Sequence, residues 1–237
     1  MNDELMVLSL TAASIGFVHT LFGPDHYLPF IVMSRARNWS MPKTALITFV
    51  CGMGHILSSV ILGGIGIVIG IAVMKLEALE AFRGNLAAWA LIGFGTAYAI
   101  WGIHRALRNK PHSHIHLHDE VHAHAHTHVH SDEHTHVHDY ATQKNITPWV
   151  LFTIFVLGPC EPLIPILMYP AAKMSIAGII LVASIFGAVT ILTMLSMVMI
   201  ASYGFSCIPL GRFERFSHAL AGGTIALSGM AIQFLGL

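Results

Sequence analysis

Long apolar runs broken by short polar punctuation set the pattern of this chain. Stretches near 5–34, 44–74, 86–107, 148–171, 176–203 and 216–237 are each apolar enough to cross a bilayer, which takes about 20 residues of helix. The pattern predicts six transmembrane helices. The run at 44–74 is longer than a crossing needs and predicts tilt or an extension past the hydrocarbon. Its glycines Gly63, Gly64, Gly66 and Gly70 suit close helix packing.

Two runs carry helix breakers where a helix should continue. In "HTLFGPDHYLPF", residues 19–30, Pro24 has no N–H for the carbonyl of Thr20, and Pro29 leaves that of Asp25 free. The fourth run is interrupted more severely by "GPCEPLIP", residues 158–165. The two segments also align with each other. Gly23 meets Gly158, Pro24 meets Pro159, Asp25 meets Cys160 and His26 meets Glu161, and the same offset sets Gly52 and His55 against Gly187 and Thr190. A weaker match sets "GTAYA" at 95 against "GTIAL" at 223.

These matches predict an all-α membrane protein of two three-helix repeats, residues 1–107 and 148–237, joined by a polar loop at 108–147. An odd number of spans per repeat inverts one half relative to the other, the plan of many secondary transporters, with a site between broken helices 1 and 4. Unpaired backbone at membrane depth is tolerated only where protein or a wet cavity surrounds it. Both breaks therefore predict one internal polar site.

Composition narrows the class. Of 237 residues, 55% are hydrophobic and 10% charged, with no net charge, which excludes the basic field of a nucleic-acid binder. Arg35, Arg37, Lys43, Arg105, Arg108, Lys110, Lys144, Arg212 and Arg215 fall on one side of the six spans, and Lys75, Arg83 and Lys173 on the other. The excess predicts that the first side is cytoplasmic, with both termini outside, in the cell (inner) membrane. The acidic start, "MNDELMVLSL", lacks the basic character of a secretory signal and is expected to be retained. Cys51, Cys160 and Cys207 lie far apart with no CxxC pair, so no disulfide framework is expected.

Ionisable residues inside spans are costly and mark functional sites. His19, Asp25, His26, His55 and Glu161 are of this kind. Imidazole with carboxylate is a ligand set for nickel, cobalt or zinc, and Asp25 can serve as a ligand or as a proton relay. The central loop holds twelve histidines: His112, His114, His116, His118, His122, His124, His126, His128, His130, His134, His136 and His138. Without an apolar face to bury, this loop is expected to be a disordered cytoplasmic segment that captures divalent metal weakly.

The His-x5-Asp-His arrangement of "HTLFGPDH", with His55 in the next span, resembles the signature of the nickel/cobalt transporter superfamily. Its spacing is similar to that of the UreH-like urease-accessory branch and of efflux proteins with histidine loops. The resemblance implies that His19, Asp25, His26 and His55 form a site for a transported nickel or cobalt ion, with zinc as a further candidate and no tightly bound cofactor. It also implies the lipid bilayer and the divalent ion as partners, with a cytoplasmic metallochaperone or nickel-enzyme maturation factor as a further one. No GxxxxGK[ST] loop is present, so the chain is not expected to hydrolyse ATP or to be an enzyme.

A second resemblance competes. "LGPCEPLIP" is similar to the Pro-Cys segment of the membrane electron carriers CcdA and DsbD, six-span inverted repeats with one such cysteine per half. Thiol relay needs two sulfurs, and the repeat partner of Cys160 is Asp25. The sequence thus leads to transport of a divalent transition metal, nickel before cobalt. A transmembrane thiol-disulfide carrier and a metal-delivery factor for a nickel enzyme are the rivals.

Overall fold

The computed structural model describes residues 3–108, 112–118, 122–128, 146–160, 162–173, 175–206 and 211–236. Its membrane part is all helical. α1 (Asp3–Phe22) runs into a 3₁₀ turn at Pro24–His26 and then α2 (Leu28–Ala36). α3 (Met41–Val68) and α4 (Val73–Arg108) complete the first half. The second half is α5 (Thr147–Leu157), α6 (Leu163–Ala172), α7 (Ile176–Ser206), a 3₁₀ turn at Gly211–Phe216, and α8 (Ser217–Leu235).

Among the described residues, five helices are long and apolar enough to cross a membrane: α1, α3, α4, α7 and a last one at Glu214–Leu235. The expected fourth span is instead two short apolar helices, α5 and α6. Neither reaches the length of a crossing, because Pro159 and Pro162 interrupt the backbone ladder between them. The first run is similarly divided at Gly23–Tyr27, where Gly23 is extended.

α4 is the largest departure from the sequence pattern. Its apolar run was expected to begin at 86, yet the helix starts at Val73 and takes in "KLEALEAFRGN". The reason is burial on one face: Leu76, Glu80 and Gly84 are buried, so the helix continues through this charged stretch to pack them against the body. α3 ends where Gly70 adopts φ +69, a conformation glycine enters without a Cβ penalty.

Among the glycines of the 44–74 run, Gly66 allows Leu76 to close on the backbone, whereas nothing approaches Gly64 or Gly70. The tightest crossing lies elsewhere, between α4 and α8. A Cβ on Gly95 would stand 2.4 Å from the Ala226 nitrogen, and one on Gly222 would stand 2.3 Å from the Ala99 nitrogen. Small residues on both helices bring the backbones together, the usual way to gain contact where lipid removes the hydrophobic incentive.

Two apolar clusters flank the breaks. Phe30, Met33, Cys51, Leu151, Phe155 and Met194 pack in one. Ala12, Cys160, Leu163, Leu167, Val182 and Phe186 pack in the other.

Between the halves, β1 (His112–His118) and β2 (His122–His128) pair antiparallel, from His112 opposite His128 to His118 opposite His122. This differs from the disordered segment expected there. The strict alternation of the sequence has the period of a strand, and the pairing satisfies backbone groups that an apolar face was not needed to shelter. His130, His134, His136 and His138 lie outside the described residues.

Candidate functional site

The first break builds the site. Gly23 N–H still closes on the His19 carbonyl at 3.0 Å, and the chain then turns through His26 N–H to the Gly23 carbonyl at 3.1 Å. The turn drops the His26 ring onto the backbone of Gly23. A Cβ there would meet His26 Nδ1 at 2.5 Å, so only glycine leaves room.

His26 Nδ1 lies 3.0 Å from Asp25 Oδ1 and 3.2 Å from the Gly23 carbonyl. Both partners accept, so Nδ1 donates and Nε2 keeps its lone pair. His55, from the middle of α3, donates through Nδ1 to the Phe155 carbonyl at 3.3 Å, which fixes its tautomer in the same sense. The His19 and His26 ring centroids are 4.8 Å apart, and those of His26 and His55 are 5.1 Å apart, each pair near perpendicular.

The outcome is three imidazoles gathered at one place. Nε2 of His19, of His26 and of His55 is each buried and without a hydrogen-bond partner among the described residues. One ligand atom from each histidine lies within 4.8 Å of the other two. Around a tetrahedral ion with bonds of 2.0–2.1 Å the nitrogens would be about 3.4 Å apart. Closing the present spacing takes side-chain rotations of about 1 Å, well within rotamer freedom.

Asp25 takes a different place from the one expected. Its carboxylate holds the His26 ring rather than joining the three nitrogens. A carboxylate behind a ligating imidazole fixes the ring and raises its basicity. The neighbouring cavity has a volume of about 580 Å³ and is lined by His19, Asp25, His26 and His55, with Asn85 and Gln233 as further polar groups. Pro159 and Pro162 bring the second break to its wall. Glu161, the fifth residue singled out in the sequence, lies outside the described residues.

Sequence reasoning missed Glu80 and Arg83, which it placed in a loop. Glu80 Oε2 accepts from Ser59 Oγ at 3.1 Å and from the Cys160 N–H at 3.0 Å. Arg83 pairs with Glu80 Oε1 and donates to the Val156 carbonyl and Ser58 Oγ, each at 2.7 Å. Two side chains of α4 thus satisfy backbone groups left without helix partners where the second break interrupts the ladder. Gly84 lets α4 come this close, since a Cβ there would stand 2.7 Å from Pro159 Cγ. Glu80 and Arg83, three residues apart, sit on one helix face, the one signal that marks them in sequence.

Among the described residues the thiols show no pairing. Cys51 and Cys160 are buried and free and belong to separate clusters; Cys207 lies outside the described residues.

Comparison with known proteins gives one match. The family of the cytochrome C biogenesis protein transmembrane region matches residues 28–235. No curated protein and no solved structure matches. This overturns the resemblance to nickel/cobalt transporters. That likeness rested on the short motif at 19–26, and the matched region, which covers most of the chain, starts two residues after His26. Nickel and cobalt as cargo fall with it. So do the histidine loop as a mark of nickel handling, and the nickel metallochaperone and maturation factor as partners. On function, the match favours the rival drawn from CcdA and DsbD, a thiol-disulfide carrier, over nickel transport. A multi-pass protein in a lipid bilayer agrees with both the family and the five apolar helices.

Proposed function

This chain belongs to the family of cytochrome c biogenesis transmembrane regions, and we propose that its own site uses imidazole ligation, binding a zinc ion at His19, His26 and His55 and passing it across the bilayer. The observation that carries this reading is a set of three histidines beside one cavity, each with a buried, unpartnered Nε2 and each offering a ring nitrogen within 4.8 Å of the other two. Each buried polar atom left unpaired costs about 1–3 kcal/mol. Three such atoms facing one another are stabilised together by a single cation. The donors are neutral nitrogens with one carboxylate behind them, a set suited to a borderline transition metal rather than to magnesium or calcium. Asp25 orients His26, Phe155 orients His55, and no bond-making chemistry is assigned to the chain.

Packing supports the inverted repeat as the frame for passage. α1 packs on α7 of the other half, while α5 and α6 pack on α3; α3 meets α7, and α4 meets α8. Exchange of the two halves maps each contact onto another. The site then lies at a break between repeats, where rocking of one half opens it alternately to each side. The excess of lysine and arginine supports a cytoplasmic placement for the α4–α5 connection.

The thiol reading has its own support in the family match, and Cys160 stands at the second break. It needs a second sulfur within reach of Cys160. One experiment separates the two. The full chain is reconstituted into liposomes loaded with a zinc-sensitive dye, and Zn(II) entry is followed for the wild type, His26→Ala and Cys160→Ser. The metal reading expects entry that is lost in His26→Ala and kept in Cys160→Ser. Absence of zinc entry, together with passage of reducing equivalents from external dithiol to an enclosed disulfide that Cys160→Ser abolishes, would install the thiol reading instead.

A further inference from the structure

At the end of the bundle where α2 and α4 finish and α8 begins lies a second pocket, of about 220 Å³. Arg35, Arg105, Arg215 and His218 line it, with Glu214 as the one carboxylate. Ala36 and Ala106 are both buried and give the pocket its depth. Asn38 turns the chain away from α2 with φ +49, a conformation asparagine tolerates better than most residues.

Two of the three guanidiniums that line it, those of Arg105 and Arg215, are held by aromatic faces. Arg105 sits 5.5 Å from the Trp101 ring centroid, and Arg215 sits 4.7 Å from that of Phe216. Arg37 stacks over the same Trp101 and over Tyr98, and the Tyr98 hydroxyl meets His218 Nδ1 at 2.8 Å. Stacking fixes a guanidinium plane while leaving its N–H fork free to donate. Among the described residues, neither Arg105 nor Arg215 forms an ion pair with a carboxylate. Surface arginines that serve only to orient a span need neither a recess nor fixed planes.

We infer that this pocket binds a phosphate group. Its volume, its excess of guanidinium over carboxylate and its position at the helix ends fit the phosphate of an anionic phospholipid headgroup or a free phosphate ion. Planar forks match the oxygens of either, and basic recesses between helices at the membrane surface hold such headgroups. The inference is independent of the histidine site, which uses none of these residues.

The test uses the full chain purified in detergent and followed by native mass spectrometry with dioleoyl phosphatidylglycerol and dioleoyl phosphatidylcholine. The wild type is expected to retain the anionic lipid at least about tenfold more tightly than the zwitterionic one. Arg215→Gln, at an exposed position, should reduce that preference, and Arg105→Gln/Arg215→Gln should abolish it. Lys43→Gln, which removes a cation outside the pocket, should leave it unchanged. Competition by inorganic phosphate would identify the phosphate group alone as sufficient, and selective lipid binding that resists phosphate would identify the headgroup as the ligand. Equal retention of the two lipids with no displaceable phosphate would overturn the inference. So would equal loss of preference in Lys43→Gln and Arg215→Gln.

Discussion

Arg83→Met is the most informative single change outside the histidines. Arg83 is 17% exposed and its partner Glu80 is wholly buried. Removing the guanidinium leaves a buried carboxylate with two donors, Ser59 Oγ and the Cys160 N–H. It also strips the Val156 carbonyl of its side-chain donor. Breaking a buried pair from one side costs about 3–5 kcal/mol, and the two remaining donors place the expected loss near the lower end. In a Glu80→Gln background the charge is already gone, so Arg83→Met should then cost only about 1 kcal/mol for its lost hydrogen bonds. The difference is a coupling energy of about 2 kcal/mol, measurable by a double-mutant cycle from reversible unfolding in mixed micelles followed by circular dichroism. Equal costs of Arg83→Met in the two backgrounds would refute the argument that the pair clamps the second break.

Other changes probe the first break and the scaffold. Asp25→Asn removes the carboxylate behind His26 and should weaken Zn(II) binding by about 10- to 100-fold, read by calorimetry, with little change in stability. Gly23→Ala places a methyl group 2.5 Å from His26 Nδ1, so the ring must leave its position; zinc affinity should fall at least about tenfold while helicity by circular dichroism is kept. Gly222→Ala sets a Cβ 2.3 Å from the Ala99 nitrogen. Because the clash is with backbone, α4 and α8 must separate, and thermal unfolding should show a loss of about 1–3 kcal/mol or more.

The breaks themselves were legible in the sequence because proline acts through local backbone chemistry. Gly23, Pro24 and Pro159 interrupt the helices wherever the rest of the chain packs. His19, His26 and His55 were also legible, since imidazoles are rare in apolar spans and their cost demands an inward face. The arrangement around them was not. Whether Asp25 ligates or orients depends on the 3₁₀ turn that sets its carboxylate against Nδ1 of the next residue, a matter of a few ångströms that spacing does not encode. Glu80 and Arg83 escaped notice because each reads alone as a solvated charge. Only the proximity of α4 to residues 156–160, some 75 positions later, turns them into partners for unpaired backbone. The short histidine motif misled on family for a related reason: a few ligands at one spacing are easily reached on different scaffolds, whereas the family match spans residues 28–235.

The central claim is that three imidazoles form one metal centre inside the membrane body. Equilibrium dialysis of the purified full chain against Zn(II), compared with a His19→Ala/His26→Ala/His55→Ala variant that retains the histidine loop, tests it most directly. The variant is expected to bind one ion fewer per chain than the wild type and to lose the tightest class of site. Identical stoichiometry and affinity in the two proteins would contradict it.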